Sequence, residues 1–461
     1  MDLGTIVETL QRGKLDLLRV IWCDNGNVIR MKSLFLPTFL AKLDDIHTTD
    51  DLLDRIEHQV TISAALQSLP ATFDAPAAAA DLAPVQDVRL VPDWKTFSVA
   101  PTAPTIATVL GDMVLNGSPW AVCPRDFLRR ALCRAGEMDV SIESGFEIEF
   151  YLLHPADDSE EIPTPVDRTV YASTVSADEQ SAVILAILRA LWRQGIPVAQ
   201  YNPESGPGQQ EITLQHCGPL ELADRLVLAR ETIRMVANQH GLIATLIPEM
   251  FEEATGSGLH SHFSLWRDER NLLPNGDSPW NLSSIANSFM AGVLDHLPAL
   301  MAATTPSINS YRRIRPHEWS GAYQAWGIAN KEAAIRLIND PKNELPAHFE
   351  LKTVDASANP YIALGNIINA GLDGIHREMQ LPKPVEIDPG NYTDQQREQL
   401  HIATLPDRMD VAIGLFESDQ VLCNGMGEQF AKAFTAVRRA EFDTMKDMTF
   451  DQERLTLLQR Y

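Results

Sequence analysis

Residues 145–153 read GFEIEFYLL, and this stretch sets the pattern on which the predicted fold rests. Apolar residues alternate with Glu147 and Glu149, so an extended strand would carry apolar side chains on one face and both carboxylates on the other. Side chains two residues apart on a strand lie about 7 Å apart. Two carboxylates at that spacing repel each other unless a cation lies between them. The stretch therefore predicts a strand with one face in the core and one face suited to metal binding.

Three further segments repeat this alternation: QQEITL at 209–214, LHSHFSLW at 259–266 and HFELKTV at 348–354. Their polar faces carry Glu211 in the first, His260, His262 and Ser264 in the second, and His348, Glu350 and Lys352 in the third. For any single strand, a sheet with one solvated face is the simpler explanation. Four such strands together favour an oxygen-rich site with an occasional imidazole, which suits Mg²⁺ or Mn²⁺.

The segment ESGPGQQE at 204–211 adds a loop to this set. It places Glu204 and Glu211 on either side of Gly206 and Gly208, and glycine lets the backbone turn closely around a ligand. Alone, a loop with two glycines and two glutamates is weak support for a site.

The N-terminal part of the chain predicts a small sheet. Apolar runs at 15–23 and 27–34 flank Asn25-Gly26, a dipeptide that favours the positive φ angles of a tight hairpin. An Ala/Pro-rich stretch follows at 69–84 and is typical of a loop. We place the boundary of the first domain near residue 105, which predicts one domain at 1–105 and a second at 106–461.

Composition excludes several classes of protein. The 461 residues carry a formal net charge of −24, which argues against binding to nucleic acid or to an anionic membrane surface. A solvated acidic surface explains this charge most simply, and a saline habitat or a cationic partner would also explain it. No stretch reaches the roughly 18 apolar residues of a membrane span. The N-terminus lacks a signal-peptide pattern, and five scattered cysteines without a CxxC predict thiols in a reducing cytoplasm.

Six blocks, in their order along the chain, resemble the glutamine synthetase superfamily. They are GFEIEF at 145–150, ESGPGQQE at 204–211, GSGLHSHFSL at 256–265, PSINSYRR at 306–313, NKEAAIRL at 330–337 and DASANPYIALGNIINAGLDGI at 355–375. The resemblance implies an α+β fold with a small N-terminal β-grasp domain and a larger catalytic α/β domain. It implies an antiparallel, barrel-like active-site sheet. It also implies a homo-oligomeric ring, a dodecamer, with active sites between subunits.

The resemblance also implies roles for single residues, with ATP and two or more Mg²⁺ or Mn²⁺ ions as cofactors. One metal would be held by Glu149, Glu204 and Glu211, and the other by Glu147, His260 and Glu350. The nucleotide would contact His262, Ser264 and Arg336. The substrates would contact Thr255, Gly256, Arg313, Lys331 and Lys352. The catalytic set would be Arg313, Arg336, Glu318 and Trp319.

The chain departs from the family where the amine nucleophile would bind. True glutamine synthetases carry a DGSS-like segment whose aspartate helps to bind ammonium, and residues 1–105 contain none. Trp319 stands where the family has a glutamate, with Glu318 one residue earlier. Loss of both acids would remove the cation site for ammonium, and an aromatic surface favours an organic amine. The acyl phosphate of the family's reaction must be shielded from water, so the resemblance also implies a closing flap that contains Trp319. Two alternatives are that Glu318 replaces the missing acid and that Trp319 only packs this flap.

Three other residues differ from the family at positions where the acid substrate would bind. Lys331 and Lys352 stand where arginines are usual, and Thr255 stands where an asparagine often contacts glutamate. Lysine keeps the charge but loses the bidentate geometry of a guanidinium. These changes weaken the prediction of unmodified L-glutamate as the acid.

Together these features predict an ATP-dependent carbon–nitrogen ligase that joins glutamate to a primary organic amine through a γ-glutamyl phosphate. One alternative is an ordinary glutamine synthetase that uses ammonia. A second is a catalytically silent relative kept as a structural protein, against which the presence of all six predicted metal ligands argues.

Overall fold

The computed structural model of the chain describes residues 2–42, 49–158, 160–458 and 460–461. Helices and strands mix throughout this part of the chain, and the strands form two sheets. The predicted α+β class is confirmed. Among the described residues, none of the helices is both long enough and apolar enough to cross a membrane.

The first sheet has six strands and lies near the N-terminus. The strands are β1 (Leu17–Cys23), β2 (Ile29–Phe35), β3 (Thr61–Ser63), β4 (Asp87–Val99), β5 (Ile106–Leu115) and β6 (Ser118–Pro119). Their order is β2-β1-β5-β4-β3, with β6 paired to β5. The accompanying helices are α1 (Leu3–Gln11), α2 (Leu36–Leu40) and α3 (Thr49–Glu57).

The predicted hairpin of β1 and β2 forms, but its turn differs from the prediction. Residues 24–28 join the two strands, and the positive φ lies at Asn27 (62°), not at Asn25 or Gly26. Asn27 Oδ1 accepts a hydrogen bond of 2.8 Å from the buried Arg230 Nη1. A long-range contact therefore helps to hold a turn that the dipeptide alone was expected to determine.

Strands β5 and β6 carry the first sheet past residue 105, where we predicted the domain boundary. β5 pairs in parallel with β1 and antiparallel with β4. Strand pairing therefore favours a boundary after residue 119. The division into two domains itself stays a prediction.

The second sheet has ten strands and is curled into a half-barrel. The strands are β7 (Ser141–His154), β8 (Thr164–Pro165), β9 (Val198–Pro203), β10 (Gln209–Leu214), β11 (Ile243–Thr245), β12 (Leu259–Arg267), β13 (Arg270–Asn271), β14 (Trp326–Ile328), β15 (Ile335–Asn339) and β16 (Pro346–Leu351). The main order is β14-β15-β16-β12-β7-β10-β9. All four predicted ligand strands are present as immediate neighbours, in the order β16-β12-β7-β10.

The remaining helices lie before, between and after the strands of the second sheet along the chain. They are α4 (Pro124–Glu137), α5 (Thr174–Glu179), α6 (Ser181–Arg193), α7 (Pro219–Gln239), α8 (Ser284–Thr304), α9 (Ser310–Arg313), α10 (Pro360–His376), α11 (Asp394–Gln399), α12 (Met409–Ser418), α13 (Gln420–Met426), α14 (Glu428–Met445) and α15 (Phe450–Leu457).

The apolar face of the second sheet packs into the core, as the alternation predicts. Phe349 of β16 stacks on Phe263 of β12 with ring centroids 5.5 Å apart, and Phe289 of α8 lies 5.8 Å from Phe349. All three side chains are fully buried. Burial of a phenylalanine contributes about 1.5–3 kcal/mol to folding, so this face anchors the sheet and leaves the polar face free for the site.

Candidate active site

The strand register brings the predicted metal ligands face to face. His260 of β12 pairs with Glu147 of β7, and Glu211 of β10 pairs with Glu149 of β7. Directly opposed residues on one face have Cβ atoms about 4.5–5.5 Å apart. Backbone pairing alone therefore places these four side chains in one cluster.

A first group of ligand atoms lies around Glu147, His260 and Glu350. One ligand atom from each residue falls within 4.8 Å of the other two. His260 Nδ1 lies 3.0 Å from Glu147 Oε2 and 3.4 Å from Glu350 Oε1. This group matches the second predicted metal set residue for residue.

A second group consists of Glu149, Glu211 and His260, again with ligand atoms within 4.8 Å of one another. Glu149 Oε2 accepts hydrogen bonds from the Gly258 backbone N–H at 2.8 Å and from Gln209 Nε2 at 3.2 Å. These two donors orient the carboxylate towards the group. His260 thus belongs to both groups, whereas the prediction gave it to one metal only.

Glu204 lines the same cavity but lies outside the second group. Its Oε1 accepts a hydrogen bond of 2.8 Å from Asn202 Nδ2, and its Oε2 accepts one of 3.2 Å from the Ser205 backbone N–H. Its predicted role as a metal ligand stays a prediction.

The electrostatics of the cluster fit divalent cations. Burial, with the neighbouring Glu147 and Glu149, raises the pKa of Glu211 to about 9. Burial, with Glu149, raises the pKa of Glu204 to about 7. Both shifts express an excess of negative charge in a confined space, which divalent cations would neutralise. The donors are carboxylate oxygens with one imidazole, a set that suits Mg²⁺ or Mn²⁺.

The pKa of Glu350 shifts in the opposite direction, downwards, because cations surround the carboxylate. The side chain is fully buried, which by itself raises the pKa, but Lys352 and His260 outweigh burial and lower the pKa to about 2. Lys352 Nζ lies 3.2 Å from Glu350 Oε1, and Arg336 Nε lies 2.5 Å from Glu350 Oε2. Glu350 therefore connects the ligand cluster to Lys352, which was predicted to bind substrate, and to Arg336, which was predicted to contact the nucleotide.

A cavity of about 340 Å³ opens beside the cluster. The predicted site residues that line it are Glu147, Glu149, Glu204, Glu211, Thr255, Gly256, His260, Arg313, Glu318, Trp319, Lys331, Arg336, Glu350 and Lys352. Sequence reasoning missed five other lining residues: Tyr171, Gln200, Asn202, Ser205 and His317. None of these belongs to the ligand pattern of a predicted strand, and only Ser205 lies within a quoted block.

The two predicted nucleotide contacts on β12 lie outside this lining. His262 Nε2 lies 3.2 Å from Glu147 Oε1, and its ring centroid is 5.1 Å from that of His348. The Ser264 hydroxyl accepts a hydrogen bond of 2.8 Å from Trp266 Nε1. Burial, with the neighbouring His262, lowers the pKa of His348 to about 4. The contact of His262 and Ser264 with a nucleotide stays a prediction.

Glycine is required where Arg313 approaches the backbone. Arg313 is 3% exposed, and its Nη2 donates a hydrogen bond of 2.9 Å to the Lys352 carbonyl. A Cβ added at Gly256 would lie 2.8 Å from Arg313 Cγ and 2.5 Å from the Pro248 carbonyl oxygen, and one at Gly258 would lie 2.6 Å from Arg313 Nη2. The glycines thus let the guanidinium reach the cavity beside the ligand cluster.

Trp319 lies at the mouth of the cavity on a turn of unusual conformation. Its φ is +52°, which is rare for a bulky residue. The Trp319 backbone N–H donates a hydrogen bond of 3.2 Å to Glu332 Oε1, and Lys331 Nζ lies 4.5 Å from the centre of the indole ring. The structure therefore places the indole beside the site, as the prediction requires.

Comparison with known proteins identifies the family. A sequence model described as "Glutamine synthetase, catalytic domain" matches residues 121–456. The chain belongs to the glutamine synthetase family. The "Type-1 glutamine synthetase 1" of Dictyostelium discoideum is 31% identical to it over 97% of this chain and 90% of the relative. The "Gamma-glutamylpolyamine synthetase GlnA3" of Streptomyces coelicolor is 34% identical over 80% of each protein.

A solved structure shares the fold of this glutamine synthetase family member. The "GmaS/ADP complex-Conformation 1" has a TM-score of 0.81 and 26% identity and covers 99% of both chains. The predicted family and fold are thereby confirmed. Glutamine synthetase family enzymes are ATP-dependent carbon–nitrogen ligases that use divalent metals, and this chain is a ligase of that family.

Proposed function

We propose that the protein forms a γ-glutamyl amide from glutamate and a primary organic amine, with ATP as the energy source. The observation that supports this most is the composition of one cavity. Carboxylates and an imidazole lie at one end, Arg313, Arg336 and Lys352 lie beside them, and an indole lies at the mouth. The relatives include a glutamine synthetase and a γ-glutamylpolyamine synthetase, so their names do not decide between ammonia and an organic amine. The argument for an organic amine therefore rests on the cavity.

The first step would activate the acid. An oxygen of the γ-carboxylate attacks the γ-phosphorus of ATP, and the bond to the β-phosphate oxygen breaks to release ADP. Arg336 would hold the transferring phosphoryl group, and Arg313 would hold the acid. When bound, divalent cations would supply further neutralisation of the phosphate oxygens. The product of this step is γ-glutamyl phosphate.

The second step would form the amide. The amine nitrogen attacks the acyl carbon, the bond to the phosphate oxygen breaks, and the nitrogen loses a proton. An alkylamine is mostly protonated near pH 7 and needs a base. Glu318 lines the cavity next to Trp319 and is our candidate for that base. An arylamine is largely neutral and would need none.

An ordinary glutamine synthetase is the second candidate, and one observation favours it. Glu318 is present in the lining, one position before the expected glutamate, so the cavity keeps an acid near its mouth. The silent-relative alternative is weakened by the convergence of Glu147, His260 and Glu350 on one point.

The assembly also stays a proposal. We propose a homo-oligomeric ring, a dodecamer with active sites between subunits. Strand β2 offers a surface for such contacts, because it forms an edge of the first sheet and exposes Met31 and Phe35. The cytoplasmic location predicted from the cysteines and the N-terminus is likewise a prediction.

Release of ADP tests the function. The purified protein is given ATP, Mg²⁺ and glutamate with ammonia or with each of a panel of primary amines, and the γ-glutamyl product is identified by mass spectrometry. We expect at least one organic amine to exceed ammonia in kcat/KM. The proposal is wrong if ammonia equals or exceeds every amine. A Glu350→Gln preparation measures contaminating ATPase activity.

A further inference from the structure

We propose that Tyr171, Trp319 and Lys331 select amines with an uncharged organic substituent and reject amines that carry a second positive charge. This inference rests on the proposed function, because it concerns which organic amine the same cavity accepts. It separates this chain from any enzyme that prefers diamines or polyamines.

Two aromatic rings form a corner at the mouth of the cavity. The rings of Tyr171 and Trp319 meet edge to face, with centroids 6.5 Å apart and an interplanar angle of 82°. Both side chains line the cavity and both are 49% exposed. The corner therefore offers an uncovered apolar surface to whatever substituent an amine carries into the cavity.

Lys331 occupies the position that a second ammonium group would favour. Its Nζ lies 4.5 Å from the centre of the Trp319 ring, which is a cation–π contact. In the described part of the chain, Lys331 forms no ion pair with a carboxylate. A distal ammonium of a diamine that reached the indole would therefore meet the positive charge of Lys331, and like charges at close range repel.

The turn that carries the indole is held by contacts with neighbouring residues. Lys331 covers the ring while the next residue, Glu332, accepts the backbone N–H of Trp319 at 3.2 Å. Two residues before Trp319, His317 Nδ1 lies 2.6 Å from Asp388 Oδ2. These contacts hold the backbone of the turn in its positive-φ conformation.

The carboxylates near the corner do not reverse this argument. Glu204 and Glu211 act electrostatically on Tyr171. Both belong to the predicted metal-ligand set, so bound cations would balance their charge. Glu318 also lines the cavity, where it is our candidate base for the reacting nitrogen. The charge in contact with the indole is that of Lys331.

A pair of amines of equal length tests the inference. n-Pentylamine and putrescine have the same number of non-hydrogen atoms and differ only in a terminal methyl against a terminal ammonium. We measure kcat/KM for each at saturating ATP, Mg²⁺ and glutamate. We expect n-pentylamine to be preferred by about tenfold or more, from repulsion between two like charges at the indole.

Variants of Lys331 test whether its charge causes the preference between the two amines. Lys331→Met should bring the ratio of the two amines to within about threefold, and Lys331→Gln should do the same, because each removes the charge at the indole. Lys342→Met, at an exposed lysine outside the cavity, should keep the wild-type ratio. Each variant is judged by the ratio of its kcat/KM values for the two amines, so an effect of Lys331 on the binding of ATP or glutamate cancels.

The possible results distinguish failure of this inference from failure of the proposed function. If the wild type uses putrescine as well as n-pentylamine, or if both Lys331 variants keep the wild-type ratio, the inference is overturned and the proposed function stands. If neither these amines nor the wider panel exceeds ammonia, the proposed function fails, and this inference fails with it.

Discussion

The metal end and the amine end of the cavity are built in different ways. At the metal end, Glu147, His260 and Glu350 lie on paired strands, and the backbone register determines their separation. At the amine end, Trp319 and Tyr171 lie on loops and are half exposed. A sheet holds ligands at the distances that a metal requires, whereas a loop can change its side chains without disturbing the sheet. The reaction class therefore follows from the first region and the choice of amine from the second.

Glu350→Gln should have the largest effect, because it acts at the metal end. The amide keeps the shape but loses the charge that binds metal and faces Lys352 and Arg336. We expect ADP release to fall by about 1,000-fold or more, with the fold retained. Glu398→Gln, at an exposed residue outside the cavity, serves as the control. Full turnover in Glu350→Gln at ordinary Mg²⁺ would show that Glu350 is no more than a strand residue.

Gly256→Ala should have the next largest effect, at the wall between the two ends. The added Cβ would lie 2.5 Å from the Pro248 carbonyl oxygen and 2.8 Å from Arg313 Cγ. Overpacking of this kind costs about 1–3 kcal/mol, so we expect KM for glutamate to rise by about tenfold or more as Arg313 is displaced. Gly276→Ala, where an added Cβ meets nothing within 4 Å, should be neutral. An unchanged KM in Gly256→Ala would place Arg313 outside acid binding.

Trp319→Glu should have a smaller effect and should be confined to the amine end. It restores an acid at the cavity mouth, so ammonia should gain about tenfold in kcat/KM relative to the best amine. KM for ATP and metal affinity should stay at wild-type values. Trp192→Glu, at an exposed tryptophan of α6 outside the cavity, is the control. If Trp319→Glu leaves the ratio of ammonia to amine unchanged, Trp319 only packs the flap.

Glu249→Gln should have the smallest effect, because Glu249 lies behind the cavity wall. Burial raises its pKa from the ordinary 4.5 to about 8. A carboxyl with a raised pKa in the folded state favours folding fully below pH 4.5, and that advantage is lost as the pH rises towards 8. Tm should therefore fall less between pH 5 and pH 8 in Glu249→Gln than in the wild type or in the exposed control Glu252→Gln. Parallel Tm curves for all three would show that Glu249 does not titrate in this range.

The sequence by itself determined which side chains face the metal end. Alternation along 145–153, 209–214, 259–266 and 348–354 is a local property of an extended backbone, so each ligand on these strands could be assigned to a face without knowledge of its neighbours. The order of the blocks then identified the family, and Trp319 could be found by its position between two of them, 306–313 and 330–337.

Only the tertiary structure decided which strands are neighbours and which loops reach the cavity. It made β5 part of the first sheet, placed His260 in both ligand groups, and brought both Tyr171 and Lys331 into contact with Trp319. These contacts join residues that are distant along the chain or lie on irregular loops. No local periodicity records such pairings, because they follow from the packing of the whole core.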